Sequence, residues 1–260
     1  MANYHTEFKN ISRIKKKGGS IVGLLSYISG IKLYDSFKME TYSHDRDDVE
    51  FFKVFMPINA PPEYNDLQVL CNKINQSEKR YDARTGRHFI CSLPNELPLE
   101  EQIRIVQEFA VNHFLSNGLC VIAAIHKGAN KENHQKNNPH AHLIVSTRTI
   151  DSNGFNPKKD REHNKREYAN IWREGWAKEV NKAYERNDLE IRVNHESLEV
   201  QGINDREPIC HLSQKDWQKE QKGERTYAGD RKRSIQEHNR KIQSDKERDN
   251  DRELEIELSR

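Results

Sequence analysis

His140 and His142, separated by one residue, have the spacing in this chain that most directly suggests chemistry. A β-strand turns residues i and i+2 to the same face, and the residues that follow, through Val145, are apolar. A third histidine, His126, ends an apolar run that begins at Leu119. Three histidines supplied by two neighbouring strands can hold one divalent ion and leave coordination positions open for a substrate. The pattern therefore predicts a catalytic metal site rather than a structural one.

The expected cofactor is a divalent metal ion, because neutral imidazoles coordinate such ions readily. Zinc, manganese, cobalt, nickel and, less readily, magnesium suit such ligands, and the residues alone do not choose among them. Three neutral ligands leave the ion its full positive charge, which favours an anionic substrate such as a phosphodiester.

A metal alone does not define the reaction, so a nucleophile must be sought among the remaining side chains. Cys120 lies deep in an apolar run, and no Ser/His/Asp order or phosphate-binding glycine loop is present. Ser20 can cap a short helix that Gly30 ends, and at 100° per residue Tyr27 falls on the edge of its apolar stripe. Tyr27 is the best candidate nucleophile. A core tyrosine whose hydroxyl reaches water is the alternative that its position alone leaves open.

The elements that must position these residues alternate between strand and helix patterns. The loop 127–139 has almost no apolar content, which suits an antiparallel surface connection that would bring His126 close to His140 and His142. We predict an α+β domain: a central, mostly antiparallel five-stranded sheet with helices packed on one face. The predicted strands are 4–11, 49–56, 88–93, 119–126 and 140–149, and the predicted helices are 21–29, 65–81, 99–117 and 164–186.

Composition limits the folded core to part of the chain. Of the 260 residues, 34% are hydrophobic and 32% are charged, and beyond residue 213 almost every side chain is polar. Such a segment cannot bury enough surface to offset chain entropy. We therefore predict one domain over residues 1–212 and a charged helical or disordered tail over 213–260. No apolar run approaches the ~20 residues of a membrane span, so a cytoplasmic protein is expected.

Several strings, taken together, resemble the MobA/MobL family of plasmid mobilisation relaxases, which nick single-stranded DNA. The histidine strings are Ala124-Ile125-His126 and Asn138-Pro139-His140-Ala141-His142-Leu143. The tyrosine string is Ser26-Tyr27-Ile28-Ser29-Gly30, continuing to Asp35. Further collinear matches lie at residues 1–5, 12–13, 57–61, 92–97, 194–203, 206–208 and 211–212. The resemblance therefore covers roughly residues 1–212.

The resemblance implies a relaxase-like fold in which Tyr27 is the nucleophile and His126, His140 and His142 bind the metal. With this activity, magnesium or manganese is expected first, and zinc, cobalt or nickel are the alternatives. Many family members carry a glutamate where this chain has His88, which makes His88 a possible supporting residue of the site. The resemblance also implies as partners single-stranded DNA at the transfer origin, accessory mobilisation proteins and a coupling protein, in a plasmid-encoded bacterial setting without membrane insertion.

Basic residues offer candidate contacts to DNA phosphates. Arg13, Lys15, Lys16 and Lys17 form a cluster without an acid, and Arg148 lies on the histidine strand. For all five, a solvated position on the protein surface is as good an interpretation as a DNA contact. The net charge of +2 neither demands nor excludes a nucleic-acid partner.

Two other functions remain possible from the sequence. A three-histidine metallohydrolase would activate water on a small phosphate or ester and would need no tyrosine. A non-catalytic DNA-binding or replication-control protein would keep the fold without nicking. Formation of a covalent protein–DNA adduct separates the relaxase from both.

Overall fold

The computed structural model describes residues 4–13, 19–128, 137–210 and 212–258. These residues form two compact units, Met1–His195 and Glu196–Arg260. In the first unit the strands are β1 (Thr6–Ser12), β2 (Leu33–Asp35), β3 (Glu40–Tyr42), β4 (Val49–Phe55), β5 (Arg84–Ser92), β6 (Val121–His126), β7 (His140–Val145), β8 (Ile150–Asp151) and β9 (Gly154–Phe155). Its helices are α1 (Ile21–Ser29), α2 (Leu67–Ser77), α3 (Leu99–His113) and α4 (Tyr168–Arg186).

Five of these strands form the central sheet, in the order β1-β5-β7-β6-β4, and every neighbouring pair is antiparallel. The two histidine strands are therefore neighbours, and β7 occupies the middle of the sheet. The predicted α+β class and five-stranded antiparallel sheet are confirmed. Two small hairpins, β2–β3 and β8–β9, lie outside the main sheet.

Helices cover both faces of the sheet, which corrects the prediction of a single covered face. On one face, odd-numbered residues of β6 and β7, such as Ala123 and Leu143, pack with α3 and α4. On the other face, even-numbered residues such as Ile122 and Ile144 pack with α1 and α2. Both strands are consequently buried along nearly their whole length, as expected when a strand is covered twice.

Helix α1 begins and ends where the sequence predicts. The Ser20 side chain accepts a hydrogen bond from the Gly23 amide at 3.1 Å, and Gly30 ends the helix with a φ of +72°. Its buried stripe includes Ile21, Leu25 and Ile28, which anchor the helix to the sheet. Tyr27 is 43% exposed.

Two strand limits differ from the prediction for local reasons. Strand β5 begins at Arg84, four residues before the predicted start, because its charged and glycine-containing first half still pairs with β1 and β7. Strand β7 ends at Val145, four residues early. There the Ser146 hydroxyl accepts a hydrogen bond from the Cys120 amide and donates one to the Arg148 carbonyl. These side-chain bonds take the place of the regular hydrogen bonds between strands.

The second unit contains the helices α5 (Gln214–Gln221) and α6 (Tyr227–Leu258). Glu220 of α5 pairs with Arg233 of α6 at 2.6 Å, and Arg233 also contacts Asp230. The predicted limit of the catalytic domain at residue 212 is a functional limit, which these packing units do not test. None of the described helices combines the length and apolarity needed to cross a membrane.

Candidate metal centre and nucleophile

The three predicted histidines converge on the face of the sheet that α1 covers. The pairing of β6 with β7 places His126 opposite His140, and His142 opposite Ala124. One nitrogen from each histidine lies within 4.8 Å of the others. His126 and His142 are buried, and His140 is half-buried. This spacing fits three nitrogen ligands around one divalent ion.

Backbone carbonyls set the tautomers of two of these imidazoles. Nε2 of His126 lies 2.8 Å from the Ile28 carbonyl, and Nδ1 of His140 lies 2.9 Å from the Asn138 carbonyl. A carbonyl oxygen only accepts, so each of these nitrogens must carry the hydrogen. The lone pair is therefore on Nε2 of His140, as a metal ligand requires. In His126 it is on Nδ1, where it also accepts from Nη2 of Arg46 at 3.1 Å, so an ion bound to this nitrogen would replace that contact.

Burial keeps the cluster neutral. Desolvation lowers the pKa of His126 and of His140. It lowers the pKa of His142 to about 2, with a further contribution from the neighbouring histidines and Arg46. Neutral imidazoles are the form that binds metal, so the donor set fits a divalent ion without the loss of a proton at neutral pH.

His88 of β5 lies behind His142. Its Nε2 is 2.8 Å from Nδ1 of His142, and the two rings stack with centroids 5.1 Å apart. When Nδ1 of His142 donates this bond, its Nε2 carries the lone pair. His88 thus stands where a residue that orients a metal ligand would stand.

Tyr27 is tied to the cluster through its neighbour Ile28, whose carbonyl bonds His126. The Tyr27 ring has two polar neighbours from the segment between β3 and β4. The His44 ring meets it edge-on at 5.6 Å, and the guanidinium carbon of Arg46 lies 4.4 Å from its centroid.

Arg46 and Asp48 are site residues that the sequence reasoning missed. Asp48 accepts two hydrogen bonds from Arg46, at 2.7 and 2.6 Å, and Nη2 of Arg46 lies 3.1 Å from Nδ1 of His126. The Asp48 bond is the main cause that raises the pKa of Arg46, and a hydrogen bond to Tyr27 adds to it. The detectable signal was the wholly polar run from His44 to Asp48 just before β4, in which a histidine and an arginine stand among three aspartates.

Two of the predicted DNA contacts, Arg13 and Arg148, have guanidinium groups that are buried and already hydrogen-bonded within the protein. Arg13 donates to the carbonyls of Asn75, Glu78 and Arg80 at the end of α2. Arg148 forms an ion pair of 2.9 Å with Glu78. Both arginines stabilise the end of α2. The predicted contacts of Lys15, Lys16 and Lys17 lie outside the described residues.

A cleft of about 1200 Å³ opens beside the Glu78–Arg148 pair. Seven cationic side chains and two carboxylates line it. The cations are Lys79, Arg80, Arg84, Arg148, Lys158, Lys159 and Arg161, and the carboxylates are Glu78 and Asp82. Its local positive charge exceeds the +2 of the whole chain. Strand β5 links the cleft to the histidine cluster. Arg84, at one end of the strand, lines the cleft, and Ser92, at the other end, pairs with His140. At ~3.3 Å per residue these ends are roughly 26 Å apart.

The fold and site together define an antiparallel α+β domain with a buried three-histidine cluster beside an exposed tyrosine. A profile of the MobA/MobL family matches residues 19–222. The chain belongs to the MobA/MobL family.

Individual relatives agree with this assignment. The chain is 28% identical over 254 residues to a probable mobilization protein MobA of Bifidobacterium longum, covering 81% of this chain and 43% of the relative. It is 30% identical over 250 residues to mobilization protein A of Escherichia coli, covering 88% and 32%. A conjugal transfer protein TraA of Rhizobium radiobacter is 26% identical, covering 82% and 21%. The chain thus spans less than half the length of these relatives.

A solved structure is also similar. It is described as "Molecular Basis of Vancomycin Resistance Transfer in Staphylococcus aureus", with a TM-score of 0.66 and 30% identity. The match covers 75% of this chain and 98% of that one. The fold described above is therefore shared with a protein of known structure.

Proposed function

We propose that this chain is a relaxase that nicks one DNA strand at a plasmid transfer origin and joins the cut 5′ end to Tyr27. The observation that carries the proposal is the junction of α1 with the histidine cluster, where the carbonyl next to Tyr27 bonds His126. Family membership and relatives named mobilization and conjugal transfer proteins support it. The reaction would initiate conjugative mobilisation.

The proposed chemistry is a transesterification. The Tyr27 oxygen attacks phosphorus, and its new bond forms as the bond from phosphorus to the 3′ oxygen breaks. The phenol loses a proton and the 3′ oxygen gains one, which leaves a 5′-phosphotyrosyl link and a free 3′-hydroxyl. A divalent ion held by His126, His140 and His142 would withdraw charge from the scissile phosphate. Because one phosphodiester replaces another of similar free energy, the step can run backwards and reseal the strand without ATP.

His88 has a supporting role in this proposal. It accepts the Nδ1 hydrogen of His142 and so holds that ring with its lone pair toward the other two ligands. The glutamate that many family members carry at this position could accept the same hydrogen. The departure from the family pattern therefore preserves the interaction.

The basic cleft is the proposed surface for DNA phosphates, which it would contact through its exposed cations rather than through the buried Arg13 and Arg148. Lys79, Arg84, Lys158 and Arg161 are exposed at its rim. Cationic side chains of this kind position a nucleic acid through its backbone without reading its sequence. Accessory mobilisation proteins and a coupling protein remain predicted partners, and the action on plasmid DNA would place the protein in the bacterial cytoplasm.

The test is covalent capture. The protein is incubated with Mn²⁺ and labelled single-stranded oligonucleotides that tile the DNA around its gene. We expect a denaturant-resistant adduct that Tyr27→Phe abolishes. Tyr34→Phe is the matched control, because Tyr34 is 40% exposed and Tyr27 is 43% exposed.

The same assay separates the two competing functions. A metallohydrolase would release both products without an adduct, and a non-catalytic DNA-binding protein would bind the oligonucleotide without cutting it. An unchanged adduct with Tyr27→Phe would show that another residue is the nucleophile.

A further inference from the structure

Arg46 joins the nucleophile to the histidine cluster. Its guanidinium stacks on the Tyr27 ring at 4.4 Å and approaches Nδ1 of His126 at 3.1 Å. We propose that Arg46 is a further catalytic residue, which stabilises negative charge on the Tyr27 oxygen during both cleavage and rejoining of the strand. This inference rests on the proposed relaxase function.

The geometry holds Arg46 ready for this role. Asp48 binds Nε and Nη2 in a two-bond pair, and both side chains are less than one-fifth exposed. The pair fixes the plane of the guanidinium before DNA arrives, so no reorganisation is needed when charge develops. Asp48 uses two of the five N–H donors, which leaves donors for Tyr27.

The charge that Arg46 would stabilise appears in both directions of the reaction. In cleavage, the phenol loses its proton as the oxygen–phosphorus bond forms. In rejoining, the 3′-hydroxyl attacks, the same bond breaks, and the Tyr27 oxygen leaves with negative charge before it is reprotonated. A group that stabilises this oxygen in the transition state therefore speeds both steps equally and leaves their equilibrium unchanged.

The structure offers a different role that the test must separate from this one. Arg46 contacts Nδ1 of His126 at 3.1 Å, the nitrogen whose lone pair an ion would take, so Arg46 could act only by setting how this imidazole binds the metal. Loss of Arg46 would then change the metal affinity, and the nicking rate would change for that reason.

The experiment measures single-turnover cleavage and rejoining at saturating DNA and Mn²⁺ for Arg46→Gln and Arg46→Lys. Glutamine can still hydrogen-bond Asp48, which protects the fold. We expect Arg46→Gln to slow both steps by the same factor, about 10²–10³, as when one oxyanion donor is removed. The adduct fraction at equilibrium and the Mn²⁺ affinity from titration calorimetry should stay within a few-fold. Lysine should recover part of the rate.

A second arm replaces Tyr27 with 3,5-difluorotyrosine, whose phenol is more acidic. If Arg46 stabilises the phenolate, the Arg46→Gln loss should shrink markedly with this nucleophile, because less stabilisation is needed. A structural role would give the same loss with both phenols.

Arg104→Gln is the control. Arg104 of α3 donates to Glu108 at 2.9 Å and also pairs with Glu101, and α3 packs on the face of the sheet opposite the histidine cluster. At saturating DNA this variant should keep the parent rate. An Arg46→Gln rate within twofold of the parent, an undiminished loss with difluorotyrosine, or a matching fall in Mn²⁺ affinity would overturn the inference. Absence of any adduct with the parent chain would instead overturn the proposed function.

Discussion

The histidine cluster is built from residues whose neutral form the fold enforces. His126 and His142 are buried, and the pKa of each of the three imidazoles is lowered by desolvation. The His-x-His spacing and the preceding strand end were enough to find these three candidate ligands in the sequence. Arg46 and Asp48 were not found, because their segment shows neither strand alternation over its full length nor a known motif. The burial of Arg13 and Arg148 was not predictable, because sequence does not reveal that a cation lies against buried carbonyls.

The metal-free protein should lose stability in acid through this cluster. A lowered pKa means that the folded state binds fewer protons than the unfolded state below the ordinary histidine pKa of ~6.5. Stability is therefore full above that pH and falls as the pH drops from about 7 to 5. Each such histidine contributes at most about 1.4 kcal/mol per pH unit to the slope of the unfolding free energy against pH.

His140→Asn removes one of these groups and tests the linkage. In EDTA, the free energy of urea unfolding measured from pH 7 to pH 5 should fall less steeply than for the parent. The expected difference is up to about 1.4 kcal/mol per pH unit. Carboxylates that titrate in the same range cancel in the comparison. Identical slopes would mean that His140 is protonated as readily in the folded state as in the unfolded state.

His88 provides a second prediction at the scale of single residues. His88→Ala should weaken Mn²⁺ binding about 10–100-fold, as loss of an orienting partner usually does. His88→Glu should keep most of the affinity, because a carboxylate can accept the His142 hydrogen. Titration calorimetry measures both. Equal affinities for the alanine variant and the parent would remove His88 from the site.

At the scale of elements, α1 determines whether the tyrosine meets the cluster. Its limits were predictable because Ser20 and Gly30 are strong capping signals on either side of a regular apolar stripe. The central sheet was predictable for the same reason, since its strands are apolar and turn residues bound them. The second helical layer was not, because periodicity shows that a strand is apolar but not which helix covers which face.

Gly30→Ala tests the importance of the α1 terminus. Gly30 has a φ of +72°, and an added Cβ would meet Arg46 only at an ordinary 3.5 Å. The expected cost is therefore backbone strain, about 1–2 kcal/mol in the free energy of unfolding. Because the strained turn follows Tyr27 and contacts the Arg46 segment, adduct formation should slow as well.

Gly118→Ala is the control for this variant. Gly118 has a φ of +74° and comparable space, and it follows α3 on the opposite face of the sheet. A similar loss of stability is expected by chemical denaturation, with no change in adduct rate. Equal effects of both variants on the adduct rate would show that stability alone, and not the α1 terminus, limits the reaction.

At the scale of the whole first unit, the histidine cluster and the basic cleft stand near opposite ends of the sheet. The arrangement separates the site of the proposed chemistry from much of the positive charge. A DNA strand bound in the cleft could thus be positioned while the lysines and arginines of the cleft stay away from the histidine cluster.

Neutralising the cleft should weaken DNA binding without changing the chemical step. The variant carries Lys79→Gln, Arg84→Gln, Lys158→Gln and Arg161→Gln. Each lost phosphate contact should make the slope of log affinity against log salt less negative by about 0.7 for a single strand. Fluorescence anisotropy at several salt concentrations measures this slope. A normal slope would exclude the cleft from the DNA interface, and a slower step at saturating DNA would link it to catalysis.

The most direct test of the central claim is to identify the residue that carries the DNA. The adduct formed with Mn²⁺ and a single-stranded origin oligonucleotide is digested with protease and nuclease, and the peptide that retains a nucleotide is sequenced by mass spectrometry. We predict a phosphodiester on Tyr27, formed only when His126, His140 and His142 are intact. A nucleotide on any other residue, or cleavage with free ends and no modified peptide, would contradict the account.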